Sequence, residues 1–387
     1  MRRLSIKLVA LVAVLGLIAA ACGDDDTATT EAPATTAAAT TTEAPATTEA
    51  PATTEAPATT EAMSHPADFN GDGVVRIGVA TDGPRDDGGY YQAMVEKVEM
   101  ISTENGFEAP IIVDQIDAAN SRTELENIAS QGVDIIAIGS EAVARGNEDL
   151  FTTYDEIFWY CNCGSGYQDT PGLFRSADSG AELNISAGYA AGLLLQEAGE
   201  NSAVFLGCCE LVFENESFWG FEFGLQQVDP TFTVTYVPTG NFPYDFNNTA
   251  GATEAYNNAV AEGVGAVYPF LGGEANVPIA QLAFEDGLIV NTAGSSKGCE
   301  REDGIYSFEV MFDAGDYLDP LFDEILAGTA VEGGVRQFTV GIDPEVGAVF
   351  CDATPEQVQM LDEFNKRIGA GDFAEKIYEI LSAAYGF

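Results

Sequence analysis

The chain has 387 residues, 62 acidic and 15 basic side chains, a formal charge of −47 and 10% aromatic residues. A surface this acidic repels nucleic acid and anionic lipid headgroups, which excludes both as partners. The only histidine, His65, stands before the first predicted strand, so the folded part holds no Ser-His or Cys-His catalytic pair and no histidine-based metal centre.

Residues 1–21 start with Arg2, Arg3 and Lys7 and run through an apolar stretch, Leu8 to Leu17, too short to span a membrane and stop. This reads as a secretion signal that is removed. The small residues Ala19, Ala20 and Ala21 before Cys22 resemble the lipobox of bacterial lipoproteins, although Ala19 stands where that pattern prefers Leu or Val. The resemblance makes Cys22 the diacylated N-terminus of the mature chain, anchored in a membrane without a spanning helix. Residues 22–62 are then a tether of Thr, Ala, Pro and Glu with TTEAPA repeated, too polar to bury a core and kept extended by proline and like charge. Asp68 to Gly73 has oxygen ligands at alternate positions like the start of a calcium loop. Its twelfth position is Val79, where a bidentate carboxylate is required, so the stretch reads as a polar turn.

From Val74 on, apolar runs alternate with helical patterns. The first unit carries Val75, Ile77 and Val79 as a strand, turns at Asp82-Gly83-Pro84, and opens a helix after Gly88-Gly89 in which Tyr91, Met94, Val95 and Val98 recur at helical spacing. Further strands are expected at 110–113, 134–139, 157–161, 173–176, 203–207, 233–237, 266–271, 288–290 and 306–311, with helices at 121–130, 180–198, 217–228, 250–262 and 275–285. Strict alternation predicts an α/β fold of parallel sheets built from right-handed crossovers. About 325 residues exceed one core, so two Rossmann-like lobes joined by a hinge are expected. Lobe 1 is placed at 63–179 plus about 296–334, and lobe 2 at 180–295 plus about 335–353. The stretch 354–387 closes the chain with two amphipathic helices.

Apart from Cys22 there are six cysteines, an even number in an exported chain, which favours disulfides whose connectivity the sequence does not state. The CxC and CC spacings match no structural zinc pattern, so no metal is expected. No GxGxxG follows a strand and no P-loop exists, so no cofactor is expected. The acidity suits either a cationic ligand or a general surface for a salty habitat, and charge scattered along every helix favours the second. Aromatic residues fall near the predicted carboxyl ends of strands: Tyr90, Tyr91, Phe218, Trp219, Phe242, Tyr244, Phe246, Tyr268 and Phe270. With a few polar groups between them, such faces make a cleft for a flat or sugar-like small molecule.

The lipobox, tether and two α/β lobes resemble a solute-binding receptor of an ABC importer with the type I periplasmic-binding fold. Several segments are similar to the basic membrane protein family, whose best-known members bind purine nucleosides. Thr81-Asp82 and Asp86-Asp87-Gly88-Gly89-Tyr90-Tyr91-Gln92-Ala93 occupy the places of its TD turn and DDKSFNQSAW segment. Phe174 to Leu194 is similar to its FxExEGxxLAGxxA, Ser217 to Gly224 to its FxxGFxxG, and Ala266 to Ala275 to the strand before its AGGTG loop.

The resemblance implies that Tyr90 stacks on a base and that Asn162 stands near a strand-end Asp position. Tyr91 replaces the family's base-binding Asn, and its ribose-gripping Asp and Lys have no match near Thr292 or Val310. The ligand-binding set expected on these grounds is Asp82, Asp86, Tyr90, Tyr91, Asn162, Phe218, Trp219, Phe242, Gly272 and Gly273, with no catalytic residue. The implied protein is a monomer that captures a nucleoside-like ligand and hands it to a permease. Rival expectations are another ligand class on the same fold (a sugar or cationic metabolite), a ligand sensor, and an extracellular nucleoside hydrolase. The last is disfavoured by the missing histidine and by the lack of an Asp-rich calcium cluster at the first strand end.

Overall fold

The computed structural model describes residues 65–386 except 165–166, 243–244 and 296. Signal, Cys22, tether and Tyr244 lie outside the described residues. In chain order the first elements are β1 (Ile77–Ala80), α1 (Tyr90–Asn105), β2 (Ile111–Val113), α2 (Ser121–Ala129), β3 (Ile135–Ile138), α3 (Glu141–Ala144), α4 (Leu150–Thr153), β4 (Phe158–Asn162) and β5 (Leu173–Ala177). Then come α5 (Gly180–Ala198), β6 (Ser202–Gly207), α6 (Val212–Val228), β7 (Thr233–Pro238), α7 (Thr249–Glu262), β8 (Ala266–Pro269), α8 (Gly273–Glu285) and β9 (Ile289–Val290). The last are β10 (Phe308–Met311), α9 (Leu318–Leu326), β11 (Val335–Gln337), β12 (Gly347–Phe350), α10 (Pro355–Gly369) and α11 (Ala374–Tyr385).

The first sheet runs β11-β5-β4-β3-β1-β2 with every pair parallel. Its central strands are buried on both faces, as their β-branched runs require. Met94, Val98, Leu321 and Phe322 of α1 and α9 cover one face, while Leu125, Ile128, Val143 and Phe151 of α2, α3 and α4 cover the other. The second sheet runs β7-β6-β8-β9, also parallel, between α5 and α6 on one face and α7 and α8 on the other. Beside β9, the antiparallel pair β10-β12 attaches through a parallel bridge from Asn291 to Phe308 and a bond from Ser307 N–H to the Val290 carbonyl at 2.8 Å. Both sheets belong to one compact unit.

Two late strands exchange the lobes expected for them. Strand β10, placed with lobe 1 by chain order, extends the second sheet, where Phe308 and Val310 are buried against α5 and α6. Strand β11, placed with lobe 2, pairs Val335, Arg336 and Gln337 with Arg175, Ser176 and Ala177 and covers the open edge of β5. The chain therefore crosses between lobes after β5, after β10 and after β11.

Helices α5 and α6 pack closely because glycines remove side chains where they cross. A Cβ on Gly188 would lie 2.1 Å from the Phe221 carbonyl oxygen, and one on Gly224 2.1 Å from that of Ile185. The segment Ser217 to Gly224 thus has a packing reason for its glycine spacing. Helix α6 starts at Val212, before the expected Ser217, since buried Glu214 reaches back to accept the N–H groups of Cys208, Cys209 (3.1 Å) and Leu211 (2.9 Å). Overpacking a tight contact costs about 1–3 kcal/mol. Gly188→Ala and Gly224→Ala are each expected to lower the unfolding free energy by about that amount, read from the urea midpoint, while Gly106→Ala, at the open C-cap of α1, tests backbone strain alone.

Candidate functional site

Parallel strands end together, so the loops after β1, β3, β4 and β5 gather on one edge of the first sheet. After β1, the Thr81 hydroxyl donates to the Gly83 carbonyl at 2.9 Å and holds the turn. Asp82 follows, half-buried, and accepts a hydrogen bond from the Tyr91 hydroxyl, while its Oδ1 is buried and meets no hydrogen-bond partner. Asp86 is exposed at the loop tip. Its neighbour Asp87 instead is buried and accepts the N–H groups of Gly89 (2.9 Å), Gln92 (3.1 Å) and Tyr91 (3.5 Å), so it is the residue that starts α1. Burial pushes the Asp87 carboxyl up against the pull of those three donors.

A cluster of tyrosines and carboxylates fills the same edge. The Tyr90 hydroxyl lies 3.5 Å from the Asn162 carbonyl, and its ring meets that of Tyr91 edge-on at 5.2 Å. Tyr160 and Asn162, two residues apart on β4, share a face, and the Tyr160 hydroxyl pairs with Ser176 Oγ at 2.9 Å. Tyr317, from the second lobe crossing, donates to Asp178 Oδ2 at 2.7 Å. Burial holds the hydroxyls of Tyr90, Tyr91, Tyr160 and Tyr317 above their ordinary range, and the carboxylates Asp82, Asp178 and Asp313 add to the shift at Tyr90. Asn162 is 5% exposed, yet its Nδ2 has no hydrogen-bond partner among the described residues, and neither has the buried Oγ of Ser140 after β3. Asp82, Tyr90, Tyr91 and Asn162 are therefore brought together, along with Ser140, Tyr160, Asp178 and Tyr317, which sequence reasoning did not single out. Period-two placement after strands could have flagged Asp178, two residues beyond Ser176.

From the second lobe, Gly272 and Gly273 open α8 against the first lobe's loop: a Cβ on Gly273 would lie 1.9 Å from the Asp87 carbonyl oxygen, and one on Gly89 3.6 Å from Gly273 Cα. Beside this contact lies a cavity of about 230 Å³, lined from one lobe by Gly88, Gln92 and Glu96 and from the other by Asn276, Thr292, Lys297 and Arg301.

The expected aromatic set is partly replaced. Phe218 packs edge-on against Phe205 (5.8 Å) and Tyr236 (5.6 Å) inside the second lobe, and Trp219 lies in a groove between α6 and α11. Both lie along α6 beyond its first turn, since that helix starts earlier than expected. Phe242 is 78% exposed, and Tyr268 is fully buried. The aromatic residues that collect at the second lobe's strand ends are Phe213, Phe246, Phe270 and Phe312, with centroids 6.0 Å apart for Phe213–Phe246, 6.4 Å for Phe213–Phe270 and 6.2 Å for Phe270–Phe312.

The six cysteines form Cys161–Cys163, Cys208–Cys209 and Cys299–Cys351. The first brackets Asn162 and the second closes the turn after β6, so each holds a strand end at the edge where the lobes meet. No group of three or more His, Cys, Asp or Glu residues suited to a metal occurs among the described residues.

No protein-family model matches the chain, and no curated protein matches its sequence. Solved structures share its fold. An ABC transporter solute-binding protein from Conexibacter woesei superposes with a TM-score of 0.62 at 16% identity, over 77% of this chain and 97% of that one. One from Aeropyrum pernix gives 0.58 at 13% identity, over 81% and 92%. A transcriptional activator of the comK gene from Bacillus halodurans gives 0.60 at 12% identity, over 76% and 96%. At such identities the likeness is one of architecture: two α/β lobes with parallel sheets, the type I periplasmic-binding fold.

Where the chain first crosses lobes, three carboxyls lie close together. Asp178 and Glu216 are pushed up mainly by burial, and Glu182, which accepts a bond from the Val340 N–H, is pushed up by burial to about 7. Glu309, bonded to the Cys299 N–H at 3.0 Å, is likewise raised to about 7. A carboxyl raised in the folded state keeps its proton there, so its contribution is complete below the ordinary value of 4.5 and is lost as pH rises through about 7. The melting temperature is expected to fall between pH 5 and pH 8, with Glu182→Gln and Glu309→Gln each flattening the fall. A profile unchanged in both variants would rule these groups out.

Proposed function

We propose that the protein is the membrane-anchored, extracytoplasmic solute-binding component of an ABC importer, closing two lobes over a small ligand and presenting it to a permease. The observation that carries this reading is the set of buried polar groups without partners (Asp82 Oδ1, Ser140 Oγ and Asn162 Nδ2) at the strand ends where the two lobes of a type I fold meet. Buried polar groups that the protein itself does not pair are what a ligand satisfies. Two of the similar structures are themselves called ABC transporter solute-binding proteins, which supports the transport role.

Anchoring rests on the lipobox resemblance at Cys22, and among the described residues no helix is long and apolar enough to cross a membrane. The mechanism is binding and hinge closure, with the three chain crossings as the hinge and no chemical step. A monomer keeps the cleft rim free to close. The ligand that the basic membrane protein resemblance implies is nucleoside-like, with Tyr90 stacking on the base.

The test is thermal unfolding and small-angle scattering of the full-length protein with nucleosides, bases, sugars and amines at high and low salt. A ligand at a hundred times its dissociation constant adds about 2.7 kcal/mol, which raises the melting temperature by several degrees. One class is expected to do this and to contract the particle, and Tyr90→Ala to weaken that class about tenfold. If only purine nucleosides act, the nucleoside assignment holds. If another class acts it fails, and if none acts the solute-binding reading fails.

A further inference from the structure

We infer that the cleft takes a small organic cation, its charged end against Asp82 and a hydrogen-bond acceptor against Asn162. The inference rests on the solute-binding reading and adds the chemistry of the ligand.

Among the described residues, three buried polar atoms at this edge lack partners: Asp82 Oδ1, Ser140 Oγ and Asn162 Nδ2. Their strands are neighbours in the sheet, β1, β3 and β4, with Ala80 paired to Ile138 and Ile138 to Cys161. Adjacent strands lie about 4.8 Å apart, so the ends of β1 and β4, two strand spacings apart, are about 10 Å from each other, the length of a small metabolite. The set has a direction. A carboxylate oxygen at one end accepts, an amide nitrogen at the other donates, and the hydroxyl between them does either. The matching ligand donates at the Asp82 end and accepts at the Asn162 end.

A sugar hydroxyl could donate to Asp82, so charge decides between the classes. Asp82 and Asp178 both lie in electrostatic range of Tyr90, and among the described residues neither is in an ion pair with a lysine or arginine. Lys297, which lines the neighbouring cavity, is paired with Glu96 at 2.6 Å. Closing the lobes over a neutral ligand would bury the Asp82 carboxylate without a countercharge, whereas a cation supplies both the donor and the charge. The rings of Tyr90 and Tyr91 stand beside Asp82 and offer the faces on which amines and quaternary ammonium groups rest.

The test compares each cation with its neutral counterpart by calorimetry on the full-length protein: choline with dimethylbutanol, glucosamine with glucose, and N-methylated, cationic adenosine with adenosine. In at least one pair the cation is expected to bind about tenfold tighter or more, and Asp82→Asn to remove most of that preference. Asn162→Ala should weaken the same cation while keeping the preference. Melting curves of the empty variants show whether each is folded, and Asp178→Asn provides a second charge variant. Equal binding of both members of every pair, or an unchanged preference in folded Asp82→Asn and Asp178→Asn, overturns the charge assignment and leaves the solute-binding reading. If no probe binds and none contracts the particle, the solute-binding reading itself fails.

Discussion

A parallel sheet cannot satisfy its own carboxyl edge. Each strand of the first sheet stops where its neighbours stop, and the residues just beyond must find partners in loops, in the other lobe or in a ligand. Much of the edge is met internally: Thr81 bonds to Gly83, Asp87 collects the first N–H groups of α1, and Tyr160 pairs with Ser176. What is left over among the described residues, on Asp82, Ser140 and Asn162, lies at the ends of three neighbouring strands. The edge is therefore both the weakest part of the polar accounting and the part most open to use.

The second lobe answers that edge with a different chemistry. Gly272 and Gly273 bring backbone, without side chains, up to the Asp87 loop, and the phenylalanines at 213, 246, 270 and 312 form a contiguous aromatic set behind it. A polar and phenolic wall thus belongs to one lobe and an apolar aromatic wall to the other. Two short disulfides, one around Asn162 and one after β6, fix a strand end in each lobe.

How much of this was legible in the sequence follows from how local each signal is. The start of α10 was readable because Thr354, Pro355 and Gln357 form a cap within four residues, and the bounds of α5 because Ser179 starts it and Gly199, at φ 74°, ends it. The start of α6 was not, because its cap is Glu214 reaching out of the helix to a loop. Strand β10 was seen as a strand, but it and the segment of β11 were given to the wrong lobes, since edge pairing depends on which side of a sheet is open, a fact stored in the whole fold. Asp82, Tyr90, Tyr91, Asn162 and the Gly272-Gly273 pair lie in or beside the strand-to-helix turns, which the alternation of apolar runs and helical patterns marks in the sequence. Tyr317 and Asp178 were not legible, because they meet across 139 residues at the lobe crossings. Phe218 and Trp219 were misplaced with the start of α6, which moved them beyond the first turn of the helix.

The overall acidity and the acidity of the cleft call for separate explanations. Carboxylates scattered over helix surfaces stay in water, where they cost little and shape only the long-range field. On the proposed closure, the carboxylate of Asp82 enters a region that loses water, and there an unmatched charge becomes costlier as the dielectric falls. On the cation reading, this favours the open form while the cleft is empty and the closed form once a positive ligand is present. The same charge then selects the ligand and couples its arrival to closure, through a differential interaction with the two states that a neutral ligand would not provide.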